Sequence, residues 1–301
     1  MKQLFDFSGF EKNEEIIKNT WSEFRNLLAN GKFKYDDIPA ALQTTFLHVL
    51  DDLFHHCYTF VEKSIENTFN SETRLTRAAK VDRDAPIPTY SRFIPDSKYI
   101  TESNRFSPPG VEWLYLAFSN GAVSEDCPLL EEKCALRECR ANPGDRFALC
   151  SFKVKSQYKD KKIIDLTIAK ESQFKAINDE LEQRATSLYI KESNKIHTIA
   201  VKRGTILKPH MEGLIPLIEK WTIYTYMRLL SEQIFLPLTT GNKELMYAPF
   251  QCMAQYFLRM GYCGIVYSST VFPAGNNVVF FDKNIASPYG TVKIIDIPAY
   301  F

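Results

Sequence analysis

Apolar residues in the first part of the chain recur every three or four positions, which is the spacing of an amphipathic helix. Residues 11–29 form the first such stretch, with glutamate and lysine between the apolar positions. These apolar positions are Ile17, Trp21, Phe24 and Leu28. The pattern predicts an amphipathic helix that buries one face.

A second and longer apolar stripe runs from Leu42 to Ile65. It follows Asp36 and Asp37, which can cap a helix, and Pro39, which suits a first helical turn. The sequence therefore predicts one long helix here. Together the two stripes indicate a helical N-terminal region over residues 1–80.

The chain changes character between residues 70 and 95, where it becomes polar and then rich in proline, as at a domain boundary. Beyond this stretch, short β-type apolar runs alternate irregularly with helical patterns near 171–188, 211–235 and 248–260. The runs are WLYLAF, FALCSFKV, KIIDLTIA, HTIAVK, GIVYSS, NVVFFD and VKIIDI. Without the regular alternation of a doubly wound sheet, this arrangement predicts an α+β domain over residues 86–301.

The composition is that of a globular protein, with 45% hydrophobic and 24% charged residues in a chain of 301. A net charge of +1 gives no general attraction to nucleic acid or to a membrane surface. The N-terminus lacks the features of a signal peptide, and no apolar run reaches the ~18 residues of a membrane helix. We therefore expect a soluble, cytoplasmic protein.

Several common kinds of site are disfavoured by the sequence. The seven cysteines include no CxxC pair, and the five histidines have no ligand-spaced partner, so no metal site is expected. The chain also lacks the P-loop, GxGxxG, HExxH and GxSxG motifs. Most cysteines are expected to be reduced thiols of an intracellular protein.

Candidate chemistry lies in three short segments, each beside a β-type run or a proline–glycine turn. They are NRFSPPGVEWLYLA with Arg105 and Tyr115, CALRECRANPGDRFAL with Glu138, and GYCGIVYSSTVFPAGNNVVFFD with Ser269 and Asn277. Taken singly, each residue would be an ordinary surface or turn residue. Taken together, they suit an anionic substrate whose reaction develops positive charge.

The three segments, in this order, resemble the motifs of the RES domain family over roughly residues 86–285. The quoted patterns are RFSPPGxxxLYLA, ALxExRxxPGD and GYxGIxYSSxxxPxGxNVVFFD. By this resemblance the family's arginine, tyrosine, glutamate, serine and asparagine fall on Arg105, Tyr115, Glu138, Ser269 and Asn277. The tyrosine and arginine that open the domain are matched by Tyr90 and Arg92.

One departure from the family pattern affects the glutamate. The inserted stretch SEDCPLLEEK lengthens the connection before Glu138, and Glu125 lies at a more usual distance from Tyr115. Glu138 is nevertheless preferred, because ALRECRANPGD carries the flanking pattern and the surroundings of Glu125 do not.

The resemblance implies a split, mixed β-core similar to that of mono-ADP-ribosyltransferases, with a helical N-terminal extension and a cleft for NAD+. It also implies a toxin that breaks the nicotinamide–ribose bond of NAD+ with water or phosphate. NAD+ would be the substrate and no cofactor would be needed. Such proteins are restrained by an antitoxin or immunity protein.

In that reading Glu138 would stabilise the developing positive charge, and Arg105 would bind the pyrophosphate or an attacking phosphate. Tyr115 would contact the nicotinamide or its ribose, and Ser269 a ribose hydroxyl or a phosphate. Tyr90, Arg92 and Asn277 would complete the NAD+ site.

Two other functions remain open at this stage. The same fold could transfer ADP-ribose to a macromolecule, or the chain could be a binding protein without enzymatic activity. The sequence leaves open the acceptor, the identity of the partner and the oligomeric state.

Overall fold

The computed structural model of the chain describes residues 10–120, 129–169, 171–203, 212–235 and 243–299. Its α-helices are α1 Phe10–Ala29, α2 Ile38–Ala41, α3 Thr45–Cys57, α4 Ile65–Thr68, α5 Leu130–Glu138, α6 Glu171–Arg203, α7 Ile215–Phe235 and α8 Lys243–Arg259. Its strands are β1 Glu62–Ser64, β2 Thr73–Lys80, β3 Leu114–Asn120, β4 Arg146–Val154, β5 Lys162–Asp165, β6 Gly264–Ser268, β7 Asn276–Phe280 and β8 Ala286–Asp296. Within these ranges no helix is long and apolar enough to cross a membrane.

The N-terminal helices pack through an aromatic core. The predicted helix over residues 11–29 is confirmed as α1, and its Trp21 ring lies 5.0 Å from Phe46 of α3 and 5.7 Å from Phe250 of α8. Such large buried rings contribute most of the apolar surface that a helix removes from water. Helices α1, α3 and α8 therefore form one packed unit.

The prediction of one long second helix is wrong, because the chain is divided into separate helices in this region. The chain forms α2 and then a separate α3, because the Thr44 hydroxyl accepts a hydrogen bond from the Leu47 amide and begins a new helix. Helix α3 ends at Cys57, so Ile65 lies in α4 and not on the same stripe. A stripe of apolar residues predicts which face of a helix is buried. It does not show where a capping residue begins a new helix within the stripe.

Eight strands form one mixed sheet in the order β1-β5-β6-β7-β3-β2-β4-β8. Strands β5 and β6 pair in parallel and the other neighbours pair antiparallel. Helices cluster outside this sheet and do not alternate with its strands, so the α+β fold class is confirmed.

Two stretches differ from the predicted secondary structure. Strands β1 and β2 lie inside the region predicted as helical over residues 1–80, and β2 pairs with both β3 and β4. The run HTIAVK, predicted as a strand, lies in α6. The division of the chain into domains at residues 80–86 stays a prediction.

The sheet opens between β2 and β3. The two strands pair from Thr73 to Thr76, whereas the next residues of β2, from Arg77 to Lys80, pair with β4 alone in the described sheet. On the other side, Leu114, Tyr115 and Leu116 of β3 pair with β7. The resulting gap is covered by α5, which packs on both strands.

Strand β6 leaves no room for a side chain at Gly264, where it pairs with Phe280 of β7. A Cβ atom there would lie 2.3 Å from the Val279 carbonyl oxygen and 3.3 Å from the Phe280 Cα. Because both neighbours are backbone atoms, relief would require the strands to separate.

We predict that Gly264→Ala lowers the free energy of unfolding by about 3 kcal/mol, the upper part of the range for overpacking. Gly213→Ala is the control, since the nearest atom to its Cβ would be Leu188 Cδ2 at 3.9 Å. Urea unfolding followed by circular dichroism measures both. Equal midpoints for the two variants would contradict the close approach of β6 and β7.

Candidate active site

A cavity of about 300 Å³ occupies the gap between β2 and β3. Five of the polar side chains that line it come from five different elements. They are Arg77 of β2, Tyr115 of β3, Glu138 of α5, Tyr267 of β6 and Asn277 of β7. The remaining wall is formed by Thr76, Ala78, Pro95, Ile100, Asn104, Val111, Trp113, Leu116, Ala117, Ala135 and Cys139. The structure thus brings three of the predicted site residues, Tyr115, Glu138 and Asn277, to one cavity.

Glu138 is the last residue of α5, and its carboxylate is oriented by two donors. Its Oε1 atom accepts hydrogen bonds from Ser269 Oγ at 2.7 Å and from Asn277 Nδ2 at 2.5 Å. A carboxylate at a helix C-terminus faces the negative end of the helix dipole. The two donors offset that unfavourable position and fix the direction of the carboxylate at the cavity wall.

Helix α5 itself is tied to the sheet at its other end. The buried carboxylate of Glu131 accepts a hydrogen bond from Ser119 Oγ of β3 at 2.5 Å. Lys293 of β8 pairs with Glu132 at 2.9 Å. Because the helix is held at both ends, Glu138 is presented from a rigid element.

Ser269 lies behind Glu138 and is only 1% exposed. Its hydroxyl accepts hydrogen bonds from the Phe272 amide at 3.0 Å and the Val271 amide at 3.3 Å, and it donates to Glu138. The sequence predicts contact of this serine with the ligand. In the structure the hydroxyl instead forms hydrogen bonds with the Glu138 carboxylate and with backbone amides of the loop that follows β6.

That loop packs directly against α5 at Gly275. A Cβ atom at this position would lie 2.4 Å from Cys134 Sγ, so a residue without a side chain is required. The Cys134 thiol in turn lies 3.5 Å from Asn277 Oδ1. Burial raises the pKa of this thiol to about 12, so it is a neutral packing group and not a nucleophile.

Tyr115 stands on the β3 side of the cavity. Its hydroxyl lies 2.9 Å from Ser107 Oγ, and Ser107 is fully buried. Burial raises the pKa of Tyr115 well above its ordinary value, so the phenol stays neutral and can both donate and accept hydrogen bonds.

Arg105 is held beside the cavity by its neighbour in sequence. Phe106 is 1% exposed, and its ring meets Tyr267 edge to face at 5.1 Å. Burial raises the pKa of Tyr267 well above its ordinary range, and the positive charge of Arg105 opposes that rise. The contact of Phe106 with Tyr267 thus brings the backbone at Arg105 beside the cavity, although the Arg105 side chain is not part of the cavity wall.

The predicted residues Tyr90 and Arg92 lie on a short 3-10 turn, Tyr90–Phe93, and neither lines the cavity. The Tyr90 hydroxyl donates to the Gly290 carbonyl oxygen in β8. Arg92 is exposed, and its charge acts on Arg77. The competing glutamate, Glu125, lies outside the described residues.

Sequence analysis missed two residues of the cavity, Arg77 and Tyr267. Arg77 Nη1 donates to the Phe93 carbonyl oxygen at 2.8 Å, and burial lowers the pKa of this guanidinium from its ordinary value. The stretch TRLTRAAK that forms its strand lacks the alternation of apolar residues by which a strand is recognised in a sequence. Tyr267 lies within the motif GIVYSS, one position before the serines that were selected.

The arrangement combines one fixed carboxylate, nearby guanidinium groups and two neutral phenols in a partly enclosed space. Guanidinium groups bind phosphates through paired hydrogen bonds. A carboxylate facing the same space stabilises positive charge that develops in a reaction. In the described residues no group of three or more histidine, cysteine, aspartate or glutamate side chains could hold a metal ion.

We predict that Ser269→Ala lowers the free energy of unfolding by about 2 kcal/mol, because the amides of Val271 and Phe272 lose their acceptor. The neighbouring Ser268→Ala is the control, since the Ser268 hydroxyl makes one long contact of 3.5 Å with Asn276 Oδ1. Thermal or urea unfolding measures the difference. If both variants are equally stable, Ser269 does not organise the loop.

No family model matches the chain, and no curated protein matches it in sequence. Comparison with solved structures finds a chain of the crystal structure of the M. tuberculosis MbcT-MbcA toxin-antitoxin complex. The two chains are 11% identical and superpose with a TM-score of 0.31, over 82% of this chain and 93% of that chain.

Proposed function

We propose that this protein is a toxin that degrades NAD+ by breaking the bond between nicotinamide and ribose. The observation that carries the proposal is the Glu138 carboxylate, fixed by Ser269 and Asn277 at the wall of the cavity. The resemblance of its flanking segment to the RES motif supports the same assignment. Cytoplasmic NAD+ would be the pool that it depletes.

The proposed reaction begins with departure of the leaving group. The C1′–N bond breaks, its electron pair goes to the pyridinium nitrogen, and nicotinamide leaves as a neutral molecule. The ribose becomes an oxocarbenium ion, and positive charge appears at C1′ and the ring oxygen. The negative charge of Glu138 stabilises that ion. Because the leaving group is already cationic, the step needs no general acid, which agrees with the absence of histidine from the described residues that line the cavity.

The anionic and aromatic parts of NAD+ have suitable partners near Glu138. Arg77 and Arg105 supply guanidinium groups for the pyrophosphate. Tyr115 and Tyr267 supply aromatic surface for nicotinamide and hydroxyl groups for the ribose. Arg77 is an addition to the set that the sequence resemblance supplied.

An oxygen nucleophile completes the reaction at C1′. Water would add and lose a proton to give ADP-ribose, whereas phosphate would give ADP-ribose 1″-phosphate. Incubation of the purified protein with NAD+, with and without phosphate, followed by mass spectrometry, identifies the product. Unchanged NAD+ under both conditions would favour a binding protein without activity.

A transferase acting on a macromolecule is the main competing function. Labelled NAD+ incubated with the protein and a cell lysate distinguishes these two functions. Label incorporated into protein or nucleic acid would indicate a transferase and would contradict the NAD+-degrading function. The resemblance to RES toxins also leads us to expect an antitoxin or immunity protein as partner. Co-expression of that partner should restore cellular NAD+.

We predict that Glu138→Gln lowers kcat for NAD+ degradation by about 100-fold or more, because the substitution keeps the shape and removes the negative charge. Glu125→Gln is the matched control and should keep the activity of the original protein. Initial rates of nicotinamide release measure both. The opposite order of activities would move the catalytic role to Glu125.

Removal of a guanidinium group should weaken substrate binding more than the chemical step. We predict that Arg105→Ala and Arg77→Ala each raise KM for NAD+ about 10-fold to 100-fold, as expected for loss of charged hydrogen bonds. Arg74→Ala is the control, because Arg74 lies on β2 outside the cavity wall. Unchanged KM in Arg105→Ala would make Arg105 a surface residue.

A further inference from the structure

The segment from residue 94 to residue 113 carries Arg105 and leads into β3. Apart from a single 3-10 turn, Ser97–Tyr99, it has no regular secondary structure. Its shape therefore depends on contacts with other elements. Pro95, Asn104 and Trp113 of this segment form part of the cavity wall, so its position also shapes the cavity.

The two ends of this segment are tied to one lysine. Lys283, which follows β7, pairs with Glu112 and donates to the Pro95 carbonyl oxygen at 3.3 Å. Glu112 also accepts a hydrogen bond from the Ser97 amide at 2.8 Å. These contacts join the two ends of the segment and close it into a loop. They do not fix the middle of the loop.

Gln251 of α8 holds the middle. Its Nε2 atom donates to the Asn104 carbonyl oxygen at 3.1 Å, and the side chain is 3% exposed. The backbone amide of the same residue, Asn104, donates a hydrogen bond to the Ser107 carbonyl oxygen at 2.8 Å. The bonded carbonyl belongs to the peptide group that joins Asn104 to Arg105, so the amide of Gln251 fixes the backbone at the arginine.

Helix α8 is in turn fixed by the N-terminal helices. Trp21 of α1 packs on Phe250, the residue next to Gln251, and Tyr256 donates a hydrogen bond to Asp51 of α3 at 2.9 Å. Phe106 is buried in the same apolar core as these helices. The backbone on both sides of Arg105 is therefore attached to the helical unit.

We propose that Gln251 is a positioning residue, through which the N-terminal helices hold Arg105 at the mouth of the cavity. The structural part of this proposal is independent of the reaction, whereas its effect on catalysis rests on the proposed cleavage of NAD+. The buried hydrogen bond from the Gln251 side chain to the Asn104 carbonyl oxygen stabilises one arrangement of the backbone at that position. Its loss would release the loop while the two ends stay attached.

The test uses Gln251→Met in the full chain, which keeps the length of the side chain and removes the donor. Gln255→Met is the matched control, since Gln255 lies one turn further along the same helix and is half-buried. Hydrogen exchange of peptides that cover residues 100–112 is the first measurement. We expect exchange at least about 10-fold faster in Gln251→Met, because local opening no longer breaks a buried hydrogen bond. The control should exchange like the original protein.

Kinetics provide the second measurement. KM for NAD+ should rise about 3-fold to 10-fold in Gln251→Met while kcat changes less than about 2-fold, since a displaced arginine weakens binding. In an Arg105→Ala background the same substitution should leave KM unchanged, because the two residues act through one interaction. Independent, additive effects would show that Gln251 does not act through Arg105.

The outcomes separate the two proposals. Unchanged exchange in Gln251→Met overturns the positioning role, whatever the activity. Faster exchange with unchanged KM in an active enzyme also overturns it. If the original protein does not cleave NAD+, the proposed function fails and the exchange data alone decide whether Gln251 holds the loop. Should Gln251→Met not fold, Gln251→Asn gives the same measurements, because it is one methylene shorter and cannot reach the carbonyl.

Discussion

The parting of β2 from β3 is the constraint on which the cavity depends. A β-strand residue at the centre of a sheet normally satisfies its backbone groups with a neighbour on each side. After Thr76 that pairing continues on one side only, and side chains occupy the gap in place of a ladder of hydrogen bonds. Arg77 and Tyr115 both line the cavity that lies in this gap. An open sheet of this kind stays stable because α5 and the loop from residue 94 cover it.

The carboxylate of Glu138 joins helix α5, which covers the gap between β2 and β3, to the neighbouring part of the sheet. Two parts of the chain that are distant in sequence meet at this carboxylate, since Ser269 is 131 positions away and Asn277 139. Helix α5 ends at Glu138, and Arg140, two residues further along the chain, has a positive φ of 53°. Glycine is the usual residue in that left-handed conformation. The amide of Ala141 bonds to the Leu136 carbonyl oxygen at 3.1 Å and closes the helix end, so the turn holds its shape despite the unfavourable residue.

Three residues selected from the sequence, Tyr115, Glu138 and Asn277, line one cavity, whereas several helices and strands differ from their predicted positions. Glu138 of α5 and Asn277 of β7, which belong to two different motifs, are joined by a hydrogen bond. Arg77 escaped notice because its strand contains polar residues on the side that faces the cavity, and such a strand has no apolar alternation to display. Similarly, Tyr90 and Arg92 matched a motif by type, whereas the path of the chain takes Tyr90 to β8. The contact between Gln251 and Asn104 spans 147 positions and follows from packing alone.

The position of β6 and β7 in the middle of the sheet has a consequence for synthesis of the protein. Both strands come from the last fifth of the chain, yet β7 lies between β6 and β3 and carries Asn277. Until these residues have left the ribosome, Glu138 lacks both of its donors and β3 lacks its partner on that side. In a growing chain the pairing of β2 with β4 can form before β7 has been made, whereas the cavity can close only after it.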